Sequence, residues 1–496
     1  MIRSHQLKNS IIYLLPKVIA GLLPLLTLPI FTSVLSKSDF GVFALAEVYA
    51  IFATGIVNFG LTAGYERNFF QYTQPLKRAQ LLYSTLLFVS FTFLLALAGT
   101  FIFRFQLSRL IIGSSQYANL LFFVFCSTVV MSFKQYYLIY FKNMEEAKEF
   151  SVYSIDETIL GVVFSLILVA YFRTGVVGMA WGQLAASIII LAVLMVRFVK
   201  ILPVSLKWDV LLDSLKISYP LTPRIFLGVI STQLNKYILG VLNSMGGVGI
   251  FSIGQKIANV VFIYMTAIQN VFNPQVYKKM FLGSRDAGRE IGTYLTPFIY
   301  FSVIISLLIA LFSEEIVRIL TPPAYSQASI IVIILSMYYA ALFFGKITGT
   351  QLIFMRKTWL TSLLSFVDIG ISILCCVFLI GRFGIIGAAW ATLIAGLVST
   401  SISLIVAQRF YKIDWEYAKI IAIFSVFYVS AILMIFLMSY VSSYWVRFGL
   451  KAASLLLYLL LGIRVGLITR ENIALIKDLI QMKKGKLIGN EDIVSA

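Results

Sequence analysis

The chain has 496 residues, of which 60% are hydrophobic and 12% are charged, and its mean hydropathy is +0.94. Soluble globular domains average about 45–50% apolar and about 25% charged residues, so this composition excludes a soluble protein and predicts an integral membrane protein. The net charge of +19 is spread over many short segments between apolar runs, which indicates membrane orientation and argues against nucleic-acid binding.

Apolar runs predict 14 membrane-spanning helices, because about 20 apolar residues cross a bilayer. They are residues 9–34, 40–63, 79–103, 117–141, 152–172, 176–198, 217–243, 249–272, 292–312, 326–352, 359–380, 385–407, 420–440 and 446–467. An even number of spans places both termini on one side, and most Lys and Arg residues of the connections fall on that side. The positive-inside rule therefore predicts cytoplasmic termini.

The first predicted span contains a lysine and three prolines, Pro16, Pro24 and Pro29. Proline removes a backbone hydrogen bond and kinks a helix, and such kinks persist in membranes where neighbours or water satisfy the freed groups. The pattern admits two interpretations: a helix that bends during a transport cycle, or a static kink that shapes the packing.

The chain contains an internal repeat. "PKVIAG" from Pro16 matches "PRIFLG" from Pro223, "FGVFALAE" from Phe40 matches "VGIFSIGQ" from Val248, and "TGVVGMAWGQL" matches "FGIIGAAWATL". The three offsets lie between 207 and 209 residues. Six predicted spans separate equivalent helices, and because six is even, the two halves have the same orientation about an axis along the membrane normal.

The repeat predicts an all-α integral membrane fold with two parallel-repeat six-helix bundles around a central cavity and two additional C-terminal helices. The predicted segments are 1–200 for the N-terminal bundle, 201–216 for an amphipathic cytoplasmic linker, 217–410 for the C-terminal bundle, 411–470 for the two extra helices, and 471–496 for a basic cytoplasmic tail.

Lys17 and Arg224 occupy equivalent positions inside the first and seventh predicted spans. A cation at the centre of a span costs about 2.5–3.5 kcal/mol on insertion scales, so such residues normally face a cavity or a partner. We therefore predict that the two side chains share an aqueous cavity that prefers an anion. The alternative is that both reach the cytoplasmic headgroups.

A polar stripe on predicted helix 249–272 extends this candidate cavity. For a single polar residue between membrane helices, interhelical hydrogen bonding is the alternative interpretation. The predicted substrate-binding residues are Lys17, Arg224, Lys256, Asn235, Asn259, Asn270 and Ser252.

Four acidic residues also lie within the predicted spans. Glu47 and Asp368 are the deepest and are candidates for coupling to a proton or sodium ion, or for pairing with a neighbouring cation. Asp156 and Glu157 are predicted to lie at the interface. Three further lysines lie nearer the helix ends and either line the cavity or reach the headgroups: Lys134, Lys236 and Lys346.

No pattern in the chain indicates an enzyme. No nucleotide-binding loop is found, and the single histidine, His5, cannot form a histidine cluster for metal or acid–base chemistry. The three cysteines, Cys126, Cys375 and Cys376, lie in apolar runs without metal-ligand spacing. We therefore expect no catalytic residues, no metal, no cofactor and no disulfide.

Two segments resemble the bacterial polysaccharide and O-antigen flippases (Wzx/PST type) of the multidrug/oligosaccharidyl-lipid/polysaccharide (MOP) exporter superfamily. They are "LLDSLKISYPLTPRIFLGVISTQLNKYILGVLNSMGGVGIFSIGQKIANVV" and "RKTWLTSLLSFVDIGISILCCVFLIGRFGIIGAAWATLIA". The pattern of spans agrees over nearly the whole chain. Two features depart from the family: Asn235–Lys236 stands where relatives often have an acidic–basic pair, and the surroundings of Asp368 lack a common asparagine.

The resemblance implies a MATE/MOP-like fold and movement of a polyprenyl-pyrophosphate-linked oligosaccharide from the inner to the outer leaflet of a bacterial plasma membrane by alternating access. It implies that Lys17, Arg224 and Lys256 hold the pyrophosphate. It also implies membrane lipids, a glycan polymerase and chain-length proteins as partners. The alternatives are a cation-coupled drug antiporter, a flippase for the peptidoglycan lipid precursor, and a membrane glycan polymerase or ligase.

Overall fold

The computed structural model describes residues 2–219, 222–282 and 285–467, and these ranges contain no β-strand. The N-terminal lobe, defined as α1 to α9, precedes the linker. Its helices are α1 (Ile2–Leu26), α2 (Leu28–Val34), α3 (Lys37–Val57), α4 (Leu61–Gln71), α5 (Pro75–Ile102), α6 (Arg104–Ile111), α7 (Ala118–Asn143), α8 (Ala147–Leu166) and α9 (Val176–Ile201).

The linker helix α10 leads into the C-terminal lobe, defined as α11 to α16, and two helices follow. These elements are α10 (Trp208–Ser218), α11 (Thr222–Leu242), α12 (Met245–Leu282), α13 (Ala287–Leu311), α14 (Ser313–Leu320), α15 (Ala328–Phe354), α16 (Thr358–Phe410), α17 (Tyr417–Tyr440) and α18 (Tyr444–Arg464). The predicted basic tail 471–496 lies outside the described residues.

The predicted spans correspond to helices or to limbs of helices, except that the first covers both α1 and α2 and the second runs from α3 into α4. Within the described ranges, 11 helices are long and apolar enough to cross a membrane, and the bent pair α1–α2 makes a twelfth. Helix α16 is interrupted at Gly384 (φ 56°, ψ −128°), and residues of both limbs line one cavity, so it passes twice through the lobe. Helix α11 has 21 residues, which is also long enough to span.

The predicted first span is two helices that meet at Thr27 with a bend of 40°. Pro16 and Pro24 lie inside α1, and Pro29 lies in the first turn of α2. At the break, the Leu23 carbonyl accepts hydrogen bonds from both the backbone N–H and the hydroxyl of Thr27, each at 3.2 Å. The proline pattern therefore marks a real kink, and bending during transport stays a prediction.

The backbone repeats as the sequence does. Gly175 (φ +67°) and Gly384 (φ +56°) are 209 residues apart, and each occupies a left-handed conformation at the start of a repeated motif. Glycine fits this region without steric cost because it has no Cβ. The short helices α6 and α14, eight residues each, also begin 209 residues apart.

A second pair of turns fixes the register between α7–α8 and α15–α16. Glu145 (φ +61°) and Arg356 (φ +54°) are 211 residues apart, and they follow helix caps at Met144 and Met355 with nearly the same dihedral angles. Position n in α7 or α8 is therefore equivalent to position n + 211 in α15 or the first limb of α16. From α9 to the second limb, the offset is 209.

The lobes cross most closely at two glycines. A Cβ on Gly41 of α3 would lie 1.7 Å from the Met245 carbonyl oxygen, and a Cβ on Gly249 of α12 would lie 1.9 Å from the Lys37 carbonyl oxygen. Both pairs are related by an offset of 208 residues, so the contact obeys the pseudo-twofold symmetry. We call this contact the glycine crossing.

The linker helix α10 is attached to the N-terminal lobe through α4. Asn68 donates a hydrogen bond to the Ser214 hydroxyl at 2.9 Å, and both side chains are completely buried. The Tyr72 hydroxyl donates to Asp213 at 3.0 Å. Partial burial and this carboxylate raise the pKa of Tyr72, which keeps the hydroxyl protonated as a donor. The predicted amphipathic linker is thus a packed helix, with Trp208 on its exposed side.

Candidate functional site

Two lysines from opposite lobes lie within electrostatic range of each other. Lys346 of α15 places its ammonium 4.9 Å from the centre of the Phe262 ring, and the charge of Lys17 on α1 acts on Lys346. Helix α1 reaches this position because Gly21, one turn after Lys17, packs directly against Ile263. Within the described part of the chain, no carboxylate forms an ion pair with either lysine.

A second charged group lies where α3 approaches α11 and α12. Lys236 is within electrostatic range of Glu47, which attracts it, and of Lys256, which repels it. Glu47 is in the N-terminal lobe, and the two lysines are in the C-terminal lobe. This group therefore also bridges the lobes, and its cations outnumber its acid.

Cations therefore outnumber acids in two groups of side chains along the boundary between the lobes. Ammonium groups held near each other raise the free energy of the empty site. An anion that bridges Lys17 and Lys346 lowers this free energy and forms charge-assisted hydrogen bonds, which are roughly twice as strong as neutral ones. The arrangement is suited to binding a phosphate or pyrophosphate group.

The other predicted binding residues are distributed differently. Asn235 lies within the C-terminal lobe, where its amide donates to the Thr392 hydroxyl at 2.7 Å and accepts from the Cys376 thiol at 3.0 Å. Ser252 is buried with 4% exposure, and Asn259 is partly buried. The side chains of Arg224 and Asn270 lie outside the described residues. Lys17 and Lys256 thus lie at the boundary between the lobes, and a role for Asn235 in substrate binding stays a prediction.

The two candidate ion-coupling acids are in separate places. Glu47 is at the boundary between the lobes, whereas Asp368 lines a cavity of about 310 Å³ between α15 and the two limbs of α16. We call this space the C-lobe cavity. Its lining residues are Tyr338, Leu342, Gly345, Thr348, Gly349, Leu352, Thr361, Leu364, Ser365, Asp368, Gly396, Ser399, Thr400 and Ser403.

The expectation that Glu157 lies at the interface is wrong. Glu157 is 7% exposed and forms an ion pair with Lys134, which is 6% exposed. Ser187 of α9 donates a further hydrogen bond to Glu157 at 2.9 Å. The position of Glu157 along its helix indicated its depth in the membrane but not the direction of its side chain. Both side chains point into the lobe. A lysine and a glutamate in consecutive predicted spans was the available signal.

A four-residue charge cluster that the sequence analysis missed attaches α18 to the C-terminal lobe. Lys451 is completely buried as a side chain, and its ammonium contacts Glu315 at 2.5 Å and Glu314 at 3.4 Å. Arg447 contacts Glu314 at 2.7 Å. These contacts hold the end of α18 against α14. The Glu314–Glu315 pair between two apolar runs was the signal in the sequence.

Comparisons with known proteins find sequence similarity to proteins of polysaccharide and glycan biosynthesis. A family model described as "Polysaccharide biosynthesis protein" matches residues 6–278. The probable low-salt glycan biosynthesis flippase Agl15 of Haloferax volcanii is 23% identical over 197 residues, which are 39% of this chain. The match covers 41% of the length of that curated relative.

Solved structures share the fold. The lipid II flippase MurJ in an inward closed conformation matches with a TM-score of 0.68 and 14% identity, over 90% of this chain and 98% of that one. An inward-facing multidrug resistance MATE family transporter of the MOP superfamily matches with a TM-score of 0.63 and 13% identity, over 81% and 97%. At these identities the similarity shows the fold alone, so the chemistry must be argued from this chain's own residues.

Proposed function

We propose, starting from the fact that the chain belongs to the polysaccharide biosynthesis protein family, that it moves a polyprenyl-pyrophosphate-linked oligosaccharide from the inner to the outer leaflet. The observation that carries this proposal is the packing of α1 against α12 at Gly21 and Ile263, which brings Lys17 within electrostatic range of Lys346 beside Phe262. In the described part of the chain, no carboxylate forms an ion pair with either lysine. The anion that this pair requires is the pyrophosphate of the substrate.

The geometry supports an alternating-access mechanism. Pyrophosphate bound between Lys17 and Lys346 links the two lobes, and the group of Glu47, Lys236 and Lys256 provides a second, net positive position across the same boundary. The lobes rock about this region, and the glycan moves through it while the polyprenyl chain stays in lipid. An interior-negative potential drives an anion outward by about 2.3 kcal/mol per charge per 100 mV, so voltage is sufficient as a driving force.

The finer assignments belong to the same proposal. We place the protein in a bacterial inner membrane with both termini cytoplasmic, as the distribution of Lys and Arg predicts. Its product is surface polysaccharide such as O-antigen, capsule or exopolysaccharide, and a glycan polymerase and chain-length proteins are its partners. The predicted boundaries 1–200, 217–410 and 411–470 divide it into two bundles and two extra helices, and Arg224 and Asn270 are proposed to line the cavity.

Three alternatives differ from this proposal in what the protein would move or make. A cation-coupled drug antiporter of this fold requires acids to dominate the transport site, whereas Glu47 has two lysines beside it. A glycan polymerase or ligase would transfer sugars and not only move them. A flippase for the peptidoglycan precursor would use the same cations, so only transport of defined lipids separates it from our proposal.

The direct test is transport in proteoliposomes of an undecaprenyl-pyrophosphate oligosaccharide with a fluorescent label that external dithionite quenches. Because a charge-assisted hydrogen bond contributes about 1.5–3 kcal/mol, we expect Lys17→Ala and Lys346→Ala each to slow transport at least about tenfold. Lys412→Ala is the matched control, since that side chain is 80% exposed and distant from the lobe boundary. Wild-type rates in both site variants would overturn the proposal.

A further inference from the structure

The C-lobe cavity corresponds, through the internal repeat, to a filled site in the N-terminal lobe. In the N-terminal lobe a buried carboxylate is surrounded by an ammonium and a hydroxyl. In the C-terminal lobe the carboxylate is kept, two glycines stand at the other two positions, and a space of about 310 Å³ remains. The equivalent pairs are Glu157 and Asp368, Lys134 and Gly345, and Ser187 and Gly396.

The lining of the cavity has the hydrogen-bonding character of a sugar site. The Asp368 carboxylate accepts hydrogen bonds, and hydroxyl groups can both donate and accept them. At about 30 Å³ per water, the volume corresponds to roughly ten water molecules. That space exceeds what a dehydrated inorganic ion occupies, and it suits a sugar ring with its substituents. The polar side chains used here are Tyr338, Ser365, Asp368, Ser399, Thr400 and Ser403.

The position of the cavity matches the chemistry of the substrate. Gly345 lines the cavity, and Lys346, the next residue of α15, belongs to the lysine pair at the lobe boundary. In a polyprenyl-pyrophosphate glycan, the first sugar is bonded directly to the pyrophosphate. A subsite for that sugar must therefore lie within reach of the cations that hold the phosphates, and the C-lobe cavity lies at the same turn of α15 as Lys346, on a neighbouring face of that helix.

We infer that the C-lobe cavity binds the sugar unit joined to the pyrophosphate, and that Asp368 accepts hydrogen bonds from hydroxyl or amide N–H groups of that sugar. This inference rests on the proposed function and names a substrate class within it. A carboxylate in the cavity repels a second carboxylate, so the first sugar is neutral or amino-substituted and is not a uronic acid.

The test measures binding of three lipids to the full-length protein in nanodiscs: undecaprenyl pyrophosphate, the same lipid with one N-acetylglucosamine, and the same lipid with one glucuronic acid. Because hydrogen bonds to charged groups contribute about 1.5–3 kcal/mol, we expect the wild type to bind the N-acetylglucosamine lipid about tenfold more tightly than the bare lipid. The glucuronic acid lipid should show no such gain.

Two variants remove the sugar subsite. Asp368→Asn removes the charge, and Gly349→Leu fills the cavity from a position where an added Cβ meets nothing within 4 Å. Both should bring the sugar-bearing and bare lipids within about twofold of each other and leave the affinity for the bare lipid unchanged. Gly370→Leu is the control, because an added Cβ there also meets nothing within 4 Å and Gly370 does not line the cavity.

The possible outcomes separate this inference from the proposed function. If Lys17→Ala and Lys346→Ala weaken binding of all three lipids while Asp368→Asn and Gly349→Leu keep the wild-type sugar preference, the subsite is overturned and the transport proposal stands. If no lipid binds, both are overturned. If sodium changes the affinity for the bare lipid and Asp368→Asn abolishes that effect, the cavity is a cation site and the sugar subsite is overturned.

Discussion

In the N-terminal lobe, Glu157 is neutralised by Lys134 and bonded by Ser187, whereas in the C-terminal lobe the equivalent Asp368 borders an open polar space. Equivalent backbone positions in the two lobes therefore have different side-chain environments. In the N-terminal lobe, Lys134 and Ser187 occupy the space around the buried Glu157 carboxylate. The C-terminal lobe keeps a carboxylate and hydroxyl groups beside a cavity, so ligand contacts beyond the pyrophosphate should be concentrated there.

The largest expected effect comes from breaking the buried ion pair of Lys134 and Glu157. Lys134→Ala leaves the Glu157 charge buried without its partner, and such changes cost about 3–5 kcal/mol. We expect the free energy of unfolding in detergent, measured by chemical denaturation, to fall by that amount. The exposed pair of Lys142 and Glu66, with side-chain exposures of 49% and 40%, is the control, and Lys142→Ala should cost only about 0–1 kcal/mol.

A double variant tests whether the charge is the cause. Combining Lys134→Met with Glu157→Gln removes both charges and should recover most of the lost stability, because a buried pair can be replaced by neutral groups at little cost. If Lys134→Ala proves no more destabilising than Lys142→Ala, the N-terminal lobe is not organised around this pair.

An intermediate effect is expected where the two lobes contribute equivalent residues to one contact. At the glycine crossing, Gly41→Leu and Gly249→Leu each insert a side chain against a backbone carbonyl closer than 2 Å. Overpacking of this kind costs about 1–3 kcal/mol, and the symmetry predicts similar losses in both variants. Spin labels at Ser33 and Ser326, one on each lobe near the crossing, should move apart in both.

Unequal responses would limit that symmetry. If only one of the two leucine variants lengthens the spin-label distance, the crossing is not shared equally by the lobes. Gly370→Leu, far from the crossing and free of close neighbours at its Cβ, should leave the distance unchanged.

The smallest expected effect on stability comes from giving the C-terminal lobe the buried lysine that the N-terminal lobe has. Gly345→Lys places a lysine at the position equivalent to Lys134, where an added Cβ meets only Thr400 at 3.8 Å. The new ammonium can pair with Asp368, so we expect stability within about 1 kcal/mol of the wild type and loss of the preference for a sugar-bearing lipid. A large loss of stability would show that the two sites are not equivalent.

The sequence predicted the spans and the repeat because apolar length and motif spacing are local properties. The kink at Thr27 followed from prolines, whose effect on a helix is equally local. The partners of buried side chains were not predictable in this way. Lys17 was expected opposite Arg224, whose side chain lies outside the described residues, so that pairing stays a prediction. The approach of Lys17 to Lys346 was not predicted, because it depends on the packing of Gly21 against Ile263.

The environments of other side chains were also not predictable from position along a helix. Glu157 was assigned to the interface from its distance along a helix, yet its orientation into the lobe decides its environment. The hydrogen bond of Asn235 to Thr392 within the lobe was not predicted, and its place in the binding site stays a prediction. The C-lobe cavity depends on glycines of α15 and on both limbs of α16 meeting, which only the folded chain shows.

Anion binding between the lobes can be measured as the affinity of the nanodisc-embedded protein for undecaprenyl pyrophosphate and for uncharged undecaprenol. We expect Lys17→Ala and Lys346→Ala each to weaken binding of the pyrophosphate lipid about tenfold or more and to leave binding of undecaprenol unaffected. Equal wild-type affinity for the two lipids, or pyrophosphate binding that neither variant weakens, would contradict the claim that these lysines hold the substrate's anion between the lobes.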